Sequence, residues 1–377
     1  MRLANEYAYT EFSDGDRLRQ LEAETPIHIE MDDTIRAKLT DHCGMTCTFC
    51  HNEGTPVASR LGSQALRVSI YEDTNGASFT PGQMKPNDSF RDVLVALRDG
   101  VDTHELHWTG GEPTLSPDIV EMTRIASEEV GLRVKMTSNG ELGARKIKDL
   151  ARAGLTGINF SIFGTTSAEL AKVQAMAQTN EIWAQRKLDR LREALYEAEA
   201  CGLSVGANLV VASPNDEDRI LNIIDTCPQS TRIRLQADLD NQQVAWESIY
   251  DILAALDAEP VKTVASAGTS SIKVTYKLPS DRTIEFKRFM DVKLTDSCAS
   301  CRYNNPTDCK EGFYGLRLYV DDKDNYKVGI CLRRMDLAVD SDAFFSGSLP
   351  QEILDLRASQ YRTLAQKGAD ILHERLA

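Results

Sequence analysis

The sequence predicts an α/β fold: a parallel sheet built from alternating strands and helices, followed by a smaller mixed α+β unit. Three observations predict it. Short runs alternating apolar and polar residues recur from residue 35 to residue 236, separated by segments of helical periodicity. Short polar or glycine-containing turns close these runs, at the strand ends where parallel sheets place their chemistry. Beyond about residue 260 the alternation stops, and paired strands with a second group of cysteines replace it.

Residues 1–33 are acidic and weakly periodic and read as an N-terminal arm. Ile35 to Thr40 alternates as a strand and delivers a loop holding Cys43, Cys47, Phe49 and Cys50. Residues 51–88, rich in Gly, Ser, Thr, Asn and Pro, read as a lid-like loop with one strand around Leu66 to Tyr71. Ser89 to Asp99 is amphipathic, with Ser89 as the predicted cap. Glu105 to Trp108 is a strand that runs into Thr109-Gly110-Gly111-Glu112-Pro113-Thr114. A helix over 117–129, a strand over 132–136 ending in Thr137-Ser138-Asn139-Gly140, a helix over 144–153 and a strand over 157–162 follow. Residues 168–200 are helical with a break near Thr179-Asn180, 203–211 a strand, 216–224 a helix, 231–236 a strand and 245–257 a helix. Six strands alternating with helices imply right-handed crossovers in one parallel sheet. Then Ser271 to Leu278 pairs with Thr283 to Phe289 as a hairpin, Leu316 to Val320 with Tyr326 to Ile330, and helix formers return from Pro350. The division expected is 1–33 arm, 34–258 sheet domain and 259–377 C-terminal domain.

Of the 377 residues, 42% are hydrophobic and 27% charged, the balance of a globular protein. A net charge of -14 argues against a nucleic-acid groove, which carries a basic patch. No apolar run has the length of a membrane span, and the first residues lack the apolar core of a secretory signal. The expected compartment is therefore the cytoplasm, where thiols stay reduced. Nine cysteines there call for an explanation other than disulfides, and metal is the natural one. Cys201 and Cys227 stand alone and read as ordinary buried thiols. The others form two groups, Cys43, Cys47, Cys50 and Cys298, Cys301, Cys309, Cys331.

Cys43-x3-Cys47-x2-Cys50 offers three thiolates in one loop, and thiolates are the preferred ligands of iron–sulfur clusters. A four-iron cubane on three ligands keeps one iron open to a small molecule. Zinc is the alternative, with His42 and His51 flanking the loop, but no second ligand pair has zinc-finger spacing. Gly110 and Gly111 let a backbone approach a ligand without Cβ interference. Ser138, Asn139 and Ser161 end successive strands, where short polar groups bond a ligand or cap a turn. Arg36 presents a fork suited to phosphate or carboxylate. His107 is the histidine kept as an acid–base candidate, whereas His42, His51 and His104 read as locally hydrogen bonded and Trp108 as core packing.

These motifs resemble the radical S-adenosylmethionine (radical SAM) superfamily. The resemblance implies a partial (β/α)6 TIM-like barrel. It places a [4Fe-4S] cluster on Cys43, Cys47 and Cys50, with SAM chelated to the open iron and cleaved reductively to a 5′-deoxyadenosyl radical. It assigns SAM contacts to Phe49, to the turn Gly110, Gly111, Glu112 and Pro113, and to Ser161, with Ser138, Asn139 and Asn208 assisting. Within the superfamily the chain is most similar to the GTP 3′,8-cyclases of molybdenum-cofactor synthesis. That likeness rests on Arg36, Thr109 to Pro113, Thr137 to Gly140, Gly154 to Ser161, and the C-terminal Cys-x-x-Cys followed by Leu316-Arg317-Leu318. It implies substrate contacts from Arg36, Thr137 and Arg317, with His107 beside them.

The departures from the cyclases are specific. His107-Trp108 stands where they carry Arg, Gly206 where they carry Lys, Gly315 replaces the first Arg of Arg-Leu-Arg, and the chain ends Glu374-Arg375-Leu376-Ala377 without a Gly-Gly tail. Three lost cations make GTP an unexpected substrate. The set Cys298-x2-Cys301-x7-Cys309-x21-Cys331 adds a fourth thiol to the cyclases' three. Four ligands would complete a second [4Fe-4S] auxiliary cluster suited to electron transfer; alternatively Cys309 is not a ligand, or the set is a zinc ribbon. The expectation is a radical SAM enzyme acting on a nucleoside, sugar or amino-acid derivative, served by a reductase or flavodoxin-type electron donor. A peptide substrate is the alternative, although 33 residues before the first strand are few for a peptide-binding domain. A non-catalytic iron–sulfur or zinc scaffold is the third reading.

Overall fold

Along Thr34–Thr40, Ile35, Ala37 and Leu39 are buried on one side while Thr34 and Arg36 face the other, and this two-residue alternation repeats from strand to strand. In the computed structural model of the protein, residues 14–40, 42–47, 60–61, 64–65, 82–174, 180–239, 241–331, 334 and 337–367 are described. The chain opens with α1 (Asp14–Glu24), β1 (Ile27–Met31) and β2 (Thr34–Thr40), then the short pair β3 (Arg60–Leu61) and β4 (Gln64–Ala65). Alternation follows with α2 (Asp88–Val101), β5 (Glu105–Gly110), α3 (Ile119–Arg124), β6 (Arg133–Ser138), α4 (Ile147–Arg152) and β7 (Leu155–Ser161). It continues with α5 (Ser167–Lys172), α6 (Glu181–Ala200), β8 (Ser204–Val211), α7 (Glu217–Thr226), β9 (Arg232–Ala237) and α8 (Gln242–Ala255). Last come β10 (Glu259–Ala267), β11 (Ser271–Lys277), β12 (Thr283–Phe289), β13 (Leu316–Val320), β14 (Tyr326–Gly329), β15 (Val339–Asp340), α9 (Ser341–Ser346) and α10 (Leu349–Lys367).

Thirteen strands form one sheet in the order β1-β10-β11-β12-β9-β8-β7-β6-β5-β2-β13-β14-β15. Its centre, β2 and β5 to β9, is parallel, each strand beside its predecessor in this series, which is the expected (β/α)6 half-barrel. The C-terminal strands add to both edges of that same sheet. β12 joins β9 in parallel at one edge, and β13 joins β2 in parallel at the other. The hairpins β11–β12 and β13–β14 pair as expected.

The structure departs from the expected elements in particular places. Residues 27–31, read as arm, form β1 and pair with β10, a strand the sequence reading also left out. β10 lies directly after a helix and begins with the exposed Glu259, so its alternation is masked at the start. The cap of α2 is Asn87, not Ser89: the Asn87 side chain accepts from the Phe90 amide at 3.0 Å, and Ser89 already lies inside the helix. The break expected near Thr179-Asn180 is present, by contrast, and the helices on either side of it each have their own cap. Thr166 and Glu169 make a reciprocal capping box on α5, and Asn180 caps α6. After α3, residues 125–129 form a π-helical turn. Trp108 is fully buried, stacks on Phe90 at 5.9 Å and donates to the Thr123 hydroxyl at 3.1 Å, so it belongs to the core between sheet and helices. The strand expected at 66–71, the body of the lid, and the C-terminal Glu374 to Ala377 lie outside the described residues.

Candidate active site

The cysteine loop leaves the end of β2, and the Gly-Gly turn leaves the end of its neighbour β5. Backbone bonds tie the two together: Gly111 N donates to Thr40 O and Glu112 N to His42 O, each at 2.7 Å. Gly110 makes this contact possible. Its φ is +118°, and a Cβ there would lie 2.5 Å from Thr40 O. The Glu112 carboxylate turns inward, accepting from Thr114 N, the Thr114 hydroxyl, the Ser138 hydroxyl and Asn139 N. Burial pushes its pKa up, and these hydrogen bonds oppose that. Glu112 therefore fixes the end of β6, so that the Asn139 side chain donates to Cys43 Sγ at 3.5 Å. Cys43, Cys47, Gly110, Gly111, Glu112, Pro113, Ser138 and Asn139 are thus gathered at the C-terminal ends of β2, β5 and β6. Cys50 and Phe49 lie outside the described residues.

Two residues without a sequence signal complete this end of the site. Glu141, just past β6, is buried; its Oε1 accepts from Gly44 N at 3.0 Å, and its Oε2 from Lys187 Nζ of α6 at 2.5 Å. Gln174 lies past α5, where its Oε1 accepts from Thr46 N at 2.8 Å and its Nε2 donates to Cys47 Sγ at 3.4 Å. Both cysteine sulfurs therefore receive amide N–H donors, which suit a thiolate. Nothing in local sequence marks a lone Gln as a partner of a loop 127 residues earlier.

Beside this end, the inner faces of the strands line a cavity of about 1080 Å³. Register sets its wall: Arg36 lies beside His107 and His107 beside Lys135, Ser161 pairs with Asn208, Asn208 with Arg234, and Arg234 with Glu285. Arg36, His107, Thr137, Asn208 and Arg317 all line it, joined by Arg234, Lys273, Lys287 and Tyr314, which the sequence reading missed. Period-two alternation on β9, β11 and β12 was the signal for the first three. His107 Nε2 is 2.8 Å from the Thr137 hydroxyl, and its pKa lies well below the ordinary value, from burial first and then from Arg36, Lys135, Arg234 and Lys287. It is therefore a neutral imidazole. His104, by contrast, bonds locally to Asp102 at 2.8 Å.

Cys298, Cys301 and Cys309 lie between β12 and β13, and Cys331 follows β14. Glu352 of α10 anchors this segment, accepting from Asp296 N, Ser297 N and the Ser297 hydroxyl. The Cys298 thiol is pushed up to about 11 by burial, with Cys331, Cys309 and Cys301 adding to it, so the four thiols lie within electrostatic reach of one another. Arg334 donates to Cys301 Sγ at 3.5 Å. Among the described residues, no group of three His, Cys, Asp or Glu is placed to hold a single metal ion. Arg317 is buried beside Arg36 in register, which with desolvation brings its pKa down to about 10.

The model of the Radical SAM superfamily matches residues 38–227, which include the cysteine loop and the Gly-Gly turn. A GTP 3',8-cyclase of Chlorobaculum tepidum is 28% identical over 160 residues, and the match covers 42% of this chain and only 41% of that protein. A probable GTP 3',8-cyclase of Pyrococcus abyssi is 25% identical over 331 residues, covering 85% of this chain and 92% of that protein. Among solved structures, SuiB of Streptococcus suis bound to S-adenosylmethionine has a TM-score of 0.49 at 14% identity, covering 89% of this chain and 68% of that one. By the superfamily model, which spans half of its length, this chain belongs to the radical SAM superfamily.

Proposed function

We propose that the chain is an enzyme that uses Cys43, Cys47 and Cys50 to hold a SAM-binding [4Fe-4S] cluster and acts on a small molecule in the half-barrel cavity. When bound, cluster and SAM supply a 5′-deoxyadenosyl radical that removes a hydrogen atom from a C–H bond. The observation that carries this reading is the pair of 2.7 Å bonds joining the cysteine loop to the Gly-Gly turn, next to sulfurs that already receive amide donors. Gly110, Gly111, Pro113 and the β7 and β8 ends with Ser161 and Asn208 would face SAM, Phe49 with them. Glu112 and Ser138 serve by holding that frame. Arg36, His107, Thr137 and Arg317 would face the substrate.

The substrate we infer is a nucleoside, sugar or amino-acid derivative other than GTP. The cyclase cations absent at Gly206 and Gly315 are replaced here by cations on other strands, Arg234, Lys273 and Lys287, so an anionic ligand would sit against a different part of the wall. At about 1080 Å³ the cavity lies at the upper end of the range for small-molecule sites. Cys298, Cys301, Cys309 and Cys331 would hold a second four-iron cluster, within a C-terminal unit running from residue 259. Four thiols within electrostatic reach of one another support this reading, with zinc as the alternative.

Anaerobic reconstitution tests this. About eight irons per chain are expected, as two four-iron clusters, with 5′-deoxyadenosine released on reduction in the presence of SAM. Replacing Cys43, Cys47 and Cys50 by Ala should halve the iron and abolish SAM cleavage. Replacing Cys298, Cys301 and Cys331 should halve the iron and leave cleavage measurable. Zinc in place of iron, or cleavage surviving the first replacement, would defeat the proposal.

A further inference from the structure

Tyr314 lies between Cys309 and β13, and it lines two cavities. One is the half-barrel cavity; the other is a small one of about 30 Å³ that also touches Cys309 and Cys331. Its position is tightly held. Lys287 of β12 donates to its hydroxyl, and the Lys287 ammonium also sits 4.1 Å from its ring centre. Arg36 of β2 donates to its backbone carbonyl at 3.1 Å, with the guanidinium carbon 4.2 Å from the ring centre. Phe289 packs edge-on at 5.4 Å.

We propose that Tyr314 is a proton acceptor on the cavity wall, held as a phenolate by Lys287 and Arg36, and that the substrate presents an acidic O–H or N–H to it. This rests on the cavity being the substrate site. The charged groups that act on the Tyr314 phenol are cationic, Lys287 from β12, Arg36 from β2 and Arg234 from β9, while Arg317 of β13 and the carboxylate Glu311 line the same cavities. Among the described residues, no carboxylate forms an ion pair with Lys287, and the Glu285 carboxylate is already paired with Arg234 at 2.7 Å. Asp32, beside Arg36, is shared with Arg357 at 3.6 Å and is itself pushed up to about 6 by burial. His107 on β5 is neutral. Burial pushes the phenol up, but Lys287, Arg36 and Arg234 together outweigh it and bring its pKa down to about 7. An ordinary phenol at about 10 would be protonated and useless as a base at neutral pH.

The step balances simply. The phenolate oxygen takes the proton of the substrate O–H or N–H, the bonding pair stays on the substrate, and Lys287, whose pKa burial lowers while Tyr314 raises it, keeps its own proton. No electron moves in this step. The substrate, now one charge more negative, stays opposite the ammonium and guanidinium that had balanced the phenolate. A hydroxyl- or amine-bearing molecule fits such a partner, whereas one with no ionisable hydrogen at the reacting end does not.

The test is ultraviolet titration of the purified full-length chain, following the phenolate band. One tyrosine should ionise near pH 7 while the others ionise near 10 or above. Tyr314→Phe should remove that step, Lys287→Met should move it up towards the ordinary range, and Lys287→Arg, which keeps the charge, should hold it low. A chain with no tyrosine titrating near neutral pH, or a step that persists in Tyr314→Phe, would overturn the proposal. Iron loading and SAM cleavage by the unmodified protein report separately on the cluster site. A protein that shows the titration but binds no iron would retain the phenolate while refuting the radical reading of the cavity, and with it the acceptor's role.

Discussion

The four hydrogen bonds accepted by Glu112 explain why a carboxylate is needed in a turn whose ligand contacts would come from backbone. An amide cannot replace it. In Glu112→Gln the carbonyl oxygen could keep the Thr114 and Ser138 donors, but the NH2 would then face the Asn139 amide, donor against donor. Leaving that buried N–H unsatisfied should cost about 1–3 kcal/mol. Chemical denaturation of the unloaded protein measures it, and an unchanged midpoint would refute the strut role. The same logic separates Gln174 from an ordinary surface glutamine. Its two bonds go to neighbouring residues of one loop, a backbone amide and a sulfur, so it fixes the loop and solvates the Cys47 sulfur together.

At the level of single elements, the cysteine loop is shaped as much by Gly44 as by its thiols. A Cβ on Gly44 would lie 2.0 Å from Glu141 Oε2, and Glu141 cannot swing aside freely because it is buried and paired with Lys187. Gly44→Ala should therefore displace the loop from the end of β2. The expected result is iron incorporation at the first site reduced several-fold, with little change in far-ultraviolet circular dichroism because α6 and the sheet are untouched. Full iron loading would show that Glu141 is not a fixed wall. Helix termini tell a related story. Asn87, Thr166 and Asn180 cap their helices through side-chain acceptors, within two residues of the starts or break that the sequence pattern marks.

On the scale of the whole molecule, one buried cluster joins the start of the chain to its later strands. Glu22 of α1 accepts from Tyr250 of α8 at 3.0 Å and from Tyr276 of β11, and pairs with Arg288 of β12 at 2.8 Å. Arg288 also donates to Tyr250 at 2.8 Å. Burial pushes Glu22 up in pKa and Arg288 offsets part of this, so removing the arginine leaves a carboxylate with too few partners. Arg288→Met should lower stability by about 3–5 kcal/mol, read as a loss of denaturation midpoint. A loss under about 1 kcal/mol would place Glu22 in a solvated setting instead. Charge distribution is the second whole-molecule property. In a chain with net charge -14, Arg36, Lys135, Arg234, Lys273 and Lys287 all turn towards one cavity, whose lining also holds carboxylates such as Asp32, Glu105 and Glu311.

The sequence by itself determined the elements whose causes are local. Cysteine spacing after a strand, two glycines in a strand-to-helix turn, and alternating periods marked the cysteine loop, the Gly-Gly turn and the six central strands, because each depends on neighbours a few residues away. The tertiary structure alone decided what depends on register and distance. Asn139 and Gln174 meet the cysteine sulfurs, Glu22 meets Arg288, and the edges of one sheet gather residues 27–31 and 259–340. Above all, Arg36, Lys287 and Tyr314 come together across 278 positions of chain because β2, β12 and the approach to β13 border one concave face. Which residues share that face follows from how the sheet curls and in which register its strands pair, and neither is encoded in any single stretch.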